Sequence, residues 1–150
     1  MTFGNNQRGA AMVETVITLP VILFLVLVGA EITNAFIDHN TLTKATRNAV
    51  RHLANNAIPG TGGVVALDAN IVNETQNLLV FGNTSGSGTP VLPRLGPGDV
   101  QVTDIGSNNV QVSVAYAYNG ILGNTLPAFG FGPDSNLAMN LRATASMRAL

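Results

Sequence analysis

The residues able to do chemistry are few and scattered. The chain has two histidines, His39 and His52, and no cysteine. Both histidines fall on helix-patterned sequence without a partner at HExxH or paired-histidine spacing, so structural roles are expected for both. Asp99, Asp104 and Asp134 are too dispersed for a calcium loop of the EF-hand type. The glycine clusters at Gly60–Gly63 and Gly82–Gly88 lack the Lys-Ser/Thr of a phosphate loop and the strand-then-helix setting of a dinucleotide site, and they read as turns. No Gly-x-Ser-x-Gly elbow occurs. The sequence therefore predicts a non-enzyme without metal or cofactor. Two places stand out. Glu14 borders a strongly apolar run with no basic residue within helical reach on its C-terminal side, and a carboxylate at a membrane edge is a functional candidate by default. The Gly9–Ala10 bond lies among small residues just before that run, where a processing enzyme has access.

The element that carries both is the apolar run itself. From Thr15 to Ala30 the chain is uncharged and dominated by Val, Ile and Leu, interrupted by Thr18, Pro20 and Gly29. As a helix this run spans about 24 Å, short of the ~30 Å hydrocarbon core of a bilayer. Arg8 precedes it and Glu31 and Asp38 follow, so the positive-inside preference puts the N-terminus in the cytoplasm. Pro20 removes one helical hydrogen bond, which a membrane helix tolerates as a kink or a locally melted stretch. Charged residues are sparse and nearly cancel, 7 basic against 8 acidic, which excludes a nucleic-acid footprint and a polybasic membrane patch.

Three readings compete for the run: an uncleaved anchor, a signal peptide cut after Val28-Gly29-Ala30, and a helix kept on the mature protein after cleavage between Gly9 and Ala10. The apolar pattern does not stop at Ala30. Ile32, Ala35, Phe36, Leu42, Ala45, Ala49 and Leu53 continue at three- and four-residue spacing, with Asn34, Asp38, Thr41, Lys44 and Asn48 on the other side. A cut after Ala30 would split one continuous helix, which favours the third reading.

The stretch from Arg8 to about Leu53 resembles the TadE-like family of pseudopilins or minor pilins of tight-adherence (Tad) pili. The matching elements are Arg8-Gly9 followed by small residues, Val13-Glu14, Leu19-Pro20 inside the run, Gly29 with Glu31 closing it, and Ala45-x-x-Asn48-Ala49-x-Arg51. The resemblance implies a leader at 1–9 removed by a prepilin peptidase after Gly9, a membrane and filament-core helix at 10–31, and an exported pilin-like domain at 32–150. Glu14 and Pro20 become assembly residues, Glu14 through the free amine of Ala10. The implied partners are other pilin subunits, the inner-membrane assembly machinery and, before assembly, membrane lipid; nucleic acid is not among them. The implied location is a bacterial or archaeal cytoplasmic membrane with the N-terminus inside, then an extracellular pilus serving surface adhesion. The alternative is a secreted or membrane-tethered adhesive domain, cleaved after Ala30 or left uncleaved.

Beyond Leu53 the helical pattern ends at the breaker cluster Pro59–Gly63, and a second helix is expected over Val64–Val80 with Val64, Leu67, Ile71, Thr75 and Leu78 inward. Gly82–Gly98 reads as an exposed loop, and so does Gly120–Asp134. Strands are expected from Val100, over Val110–Tyr118 after a turn at Ile105–Asn109, and from Leu137 to the end, where Leu141 is inward and Arg142 outward. The expected fold is α+β and pilin-like: a long N-terminal helix packs Ile32, Phe36, Leu42, Ala49 and Leu53 onto a small antiparallel sheet, with a short second helix.

Overall fold

The computed structural model describes residues 6–58, 64–121, 123, 125–126, 133, 135–136 and 138–150. A single helix, α1, runs from Asn6 to Asn56 and passes through Pro20 without interruption. Its 51 residues would extend about 77 Å. A short helix, α2, spans Ala69–Phe81. Three strands follow, β1 at Val100–Gly106, β2 at Asn109–Tyr118 and, after a two-residue pair β3 (Thr125–Leu126) and β4 (Ser135–Asn136), β5 at Met139–Arg148. The main sheet has the order β1-β2-β5 and is antiparallel throughout. The fold is thus α+β, with a long apolar helix and a short second helix packed on a small antiparallel sheet.

β2 is the clearest product of its sequence. Val110, Val112, Val114, Tyr116 and Tyr118 are all buried and alternate with less buried residues, as period two requires. The turn before it places Ser107 and Asn108 at φ 55° and 58°, the paired positive angles of a tight hairpin whose twist matches its strands. The helix covers this face with Leu42, Ala49, Val50, Leu53 and Ala54, and α2 adds Leu79 and Val80.

Four expectations need correction. Ile32 and Phe36 do not cover the sheet; they point outward, 64% and 66% exposed, while Glu31 and Ala35 turn inward and Asp38 is half-buried. The helix after Pro59–Gly63, a cluster outside the described residues, begins at Ala69 rather than Val64, because Ala66 is tied by its N–H to the carbonyl of Ala57 at 2.8 Å and Asp68 takes the extended conformation of an N-cap. Its fully buried residues are Thr75, Leu79 and Val80; Leu67 and Ile71 pack against the core as expected, whereas Val64 is exposed and Leu78 only half-buried. The Gly82–Gly98 segment is not a simple exposed loop, since Leu92 and Leu95 enter the core and Val91 donates to Val80. In β5 only Ala143 is buried; Leu141 and Ala145 are half-buried and Met139 and Met147 exposed, because β5 is an edge strand that the helix covers only in part. Leu137 and Asp134 lie outside the described residues.

These burials set an order of sensitivity. Leu53→Ala, which empties a fully enclosed site, should cost about 2–5 kcal/mol in denaturant unfolding of the chain in detergent. Leu141→Ala should cost clearly less, and the exposed Arg142→Ala should stay within about 0.5 kcal/mol. Equal losses from Leu53 and Leu141 would contradict the observed packing.

Candidate functional site

The N-terminal half of α1 is largely exposed among the described residues. Met12, Val16, Ile17 and Leu25 are 64–71% exposed, and every residue from Gly9 to Val26 is exposed except the half-buried Phe24. The apolar surface does not end with the uncharged run: it continues past Glu31 through Ile32, Phe36 and Ile37. Measured from Ala10 to Ile37, it would run about 42 Å along the helix, longer than the ~30 Å of a hydrocarbon core. The threonines inside it are internally satisfied, Thr15 donating to the carbonyl of Ala11 at 2.8 Å and Thr18 to that of Glu14 at 2.7 Å. Each hydroxyl is thereby made compatible with an apolar surrounding.

Of the residues expected to act, Gly9, Ala10, Glu14 and Pro20 all lie on this one exposed helical segment. Glu14 has no ion-pair partner among the described residues. A side chain at Gly9 would meet nothing within 4 Å, so the fold itself makes no demand for glycine there. Pro20 deprives the Val16 carbonyl of its usual donor.

The residue that sequence reasoning undervalued is Glu31. It was expected only to close the apolar run, yet it is 6% exposed and joins the helix to the chain leaving β2. Its Oε2 accepts the N–H of Ile121 at 3.1 Å, and its main-chain carbonyl accepts the Tyr118 hydroxyl at 3.4 Å. Gly120 packs directly on the carboxylate, where any Cβ would collide. One turn pair further along, burial raises the Asp38 carboxyl above its ordinary value. Burial also raises the Tyr116 phenol, helped by the charge of Asp38 and opposed by that of Arg94. A signal for this side of the helix was present in the spacing Glu31, Ala35, Asp38, Leu42, Ala45, Ala49, which places small and acidic residues on one face.

The geometry is therefore an exposed apolar stalk pinned at Glu31 to a sheet. A family model described as TadE-like protein matches residues 9–51, the whole of the exposed segment and most of the helix that crosses the sheet. Over this segment the chain is similar to TadE-like proteins. Neither the comparison with curated proteins nor that with solved structures gives a match. The family model stops before α2, so the sheet that α1 crosses lies outside it.

Two tests address the Glu31 anchor. Gly120→Ala should destabilise the chain, and pairing it with Glu31→Ala should recover part of the loss, a non-additivity expected only if the two groups touch. Burial, then the hydrogen bond and charge of Glu31, push the Tyr118 phenol up from 10.0 to about 12. A raised folded-state value contributes stability that is fully present below pH 10.0 and lost as pH rises through about 12. Tyr118→Phe should flatten the stability profile in that window, measured by unfolding at stepped pH.

Proposed function

We infer that the chain is a pilus subunit cut by a prepilin peptidase between Gly9 and Ala10 and assembled through its apolar helix, with the N-terminus starting in the cytoplasm and the sheet domain exported. The observation that carries this reading is the uncovered apolar surface from Ala10 to Ile37 on a helix whose other half is firmly packed. Such a surface is stable in water only when something apolar covers it. Lipid can do so before assembly, and the helices of neighbouring subunits afterwards. The divisions 1–9, 10–31 and 32–150 follow as leader, stalk and exported domain, with Glu31 as the joint. Gly9, which the fold does not require to be glycine, suits a peptidase that admits no side chain.

Glu14 has a specific part in this reading. After cleavage it stands four residues from the new α-amine of Ala10, in surroundings that become apolar on assembly. An unpaired carboxylate there is strongly disfavoured, so pairing with the amine of its own or a neighbouring chain selects one axial stagger of adjacent helices. Pro20 frees a carbonyl in the same segment, which gives the packed helices a place to bend.

The alternative, a binding domain released after Ala30, fits less well. That cut would open α1 between Gly29 and Thr33, whose hydroxyl donates to the Gly29 carbonyl at 2.8 Å, and would put a charged terminus on the buried Glu31.

Gly9→Val should leave full-length protein in the membrane. Glu14→Gln should leave export, cleavage and the sheet domain intact while sharply reducing sheared filaments relative to the membrane pool. Normal filament yield from Glu14→Gln would sink the pairing, and an unchanged mature mass for Gly9→Val would count against the cleavage site.

A further inference from the structure

The exposed charges beside the two margins of the sheet differ in sign. β5 forms one margin of the sheet and β1 the other. β5 presents Arg142 and Arg148, both exposed. The flank of α1 beside it adds His39 and Arg47, which with Thr43, Arg142 and Thr144 line a groove of about 260 Å³. The β1 margin presents Asp99 and Asp104, both exposed, and α2, which packs beside β1, adds Glu74. Arg94, in the loop leading to β1, is the exception on that side. Glu74 pairs with His52 at 3.7 Å, but Arg47, Arg142 and Arg148 pair with no carboxylate among the described residues.

The register adds a geometric match. Both β1 and β5 are antiparallel to β2, so they run in the same direction. Val100, Val114 and Ala143 share a row, so Asp99 and Arg142, each one residue earlier, stand at one height. Asp104, Val110 and Met147 share another, one residue from Arg148. Within a chain the two margins are two strand spacings apart, about 10 Å; Asp99 and Arg142 line one groove across the outward face without forming an ion pair. A second copy displaced sideways by one sheet width, without being turned over, sets its Asp99 beside Arg142 on the outward face.

We propose that the β5 margin and its α1 groove dock the β1 margin of a second copy, joining exported domains side by side. This rests on the filament reading of the stalk and extends it to the domain that the family model does not cover. β5 is a ten-residue strand whose outer edge pairs with nothing among the described residues, a template for association. Its charges select the partner. Antiparallel pairing of β5 with β5 about Ala145 would set Arg142 opposite Arg148, a like-charge contact that opposes a closed two-fold dimer. Pairing with the acidic margin uses two different surfaces, and a heterologous contact repeats into an open polymer.

The absence of cysteine makes the contact directly testable. Thr103 and Ser146 share a row through Gln111, and both are exposed. Filaments of the Thr103→Cys, Ser146→Cys double variant should give a ladder of disulfide-linked multimers on mild oxidation, and each single variant should stay monomeric. Adding Arg142→Glu and Arg148→Glu should weaken the ladder by at least about tenfold. Normal filaments without a ladder, a dimer from Ser146→Cys alone, or a ladder indifferent to the two charge reversals would each overturn the docking. No filaments from the unmodified chain would overturn the stalk reading and this contact with it.

Discussion

One helix must live in two environments, and most of this protein follows from that constraint. From about Glu31 to Ala57 the inward face of α1 is the roof of a hydrophobic core. Toward the N-terminus the same helix keeps its apolar side chains and loses its cover. At about 25 cal/mol for each Å² of apolar surface, leaving that segment in water is too unfavourable for a small domain to sustain. On the proposed reading, lipid or the helices of other subunits supply that packing.

The joint between the two environments is where polar chemistry concentrates. A helix that changes from lipid-facing to core-facing needs a fixed point, or the domain would swing about it. Glu31 provides one by accepting a main-chain N–H from the segment after β2, with Tyr118 reaching back to the helix carbonyl. A buried carboxylate is a poor source of net stability but is strongly directional, because leaving it unpaired is expensive. Asp38, further along the same face, is held protonation-prone by burial, and the ring of Tyr116 lies within its field. The outcome is an unusual inversion over Glu31–Asp38, with acids inward and Ile32, Phe36 and Ile37 outward.

That inversion marks the limit of what could be read from residues alone. The period-two strand over Val110–Tyr118 and the hairpin turn were legible because one face is buried and the alternation has a single solution. The helix was legible in extent but not in facing. Ile32 and Phe36 fit the apolar spacing of the core stripe, yet they lie to one side of it, and which side is buried is set by contacts with β2 far away in sequence. Glu31 was passed over because a carboxylate is assigned to solvent by default, and only the position of Ile121 and Gly120 shows otherwise. Leu92 and Leu95 were hidden by a run of Gly, Ser, Thr and Pro that makes turns yet still dips into the core. Gly9, Ala10, Glu14 and Pro20 fall together on one exposed helical segment, and their roles belong to the proposed reading.

The account stands on the helix being retained whole beyond a short leader. The intact mass of the subunit recovered from sheared extracellular filaments tests this most directly. The predicted mass is that of a chain beginning at Ala10, with the full apolar stalk present. A chain beginning at Glu31, or a chain still beginning at Met1, would contradict it.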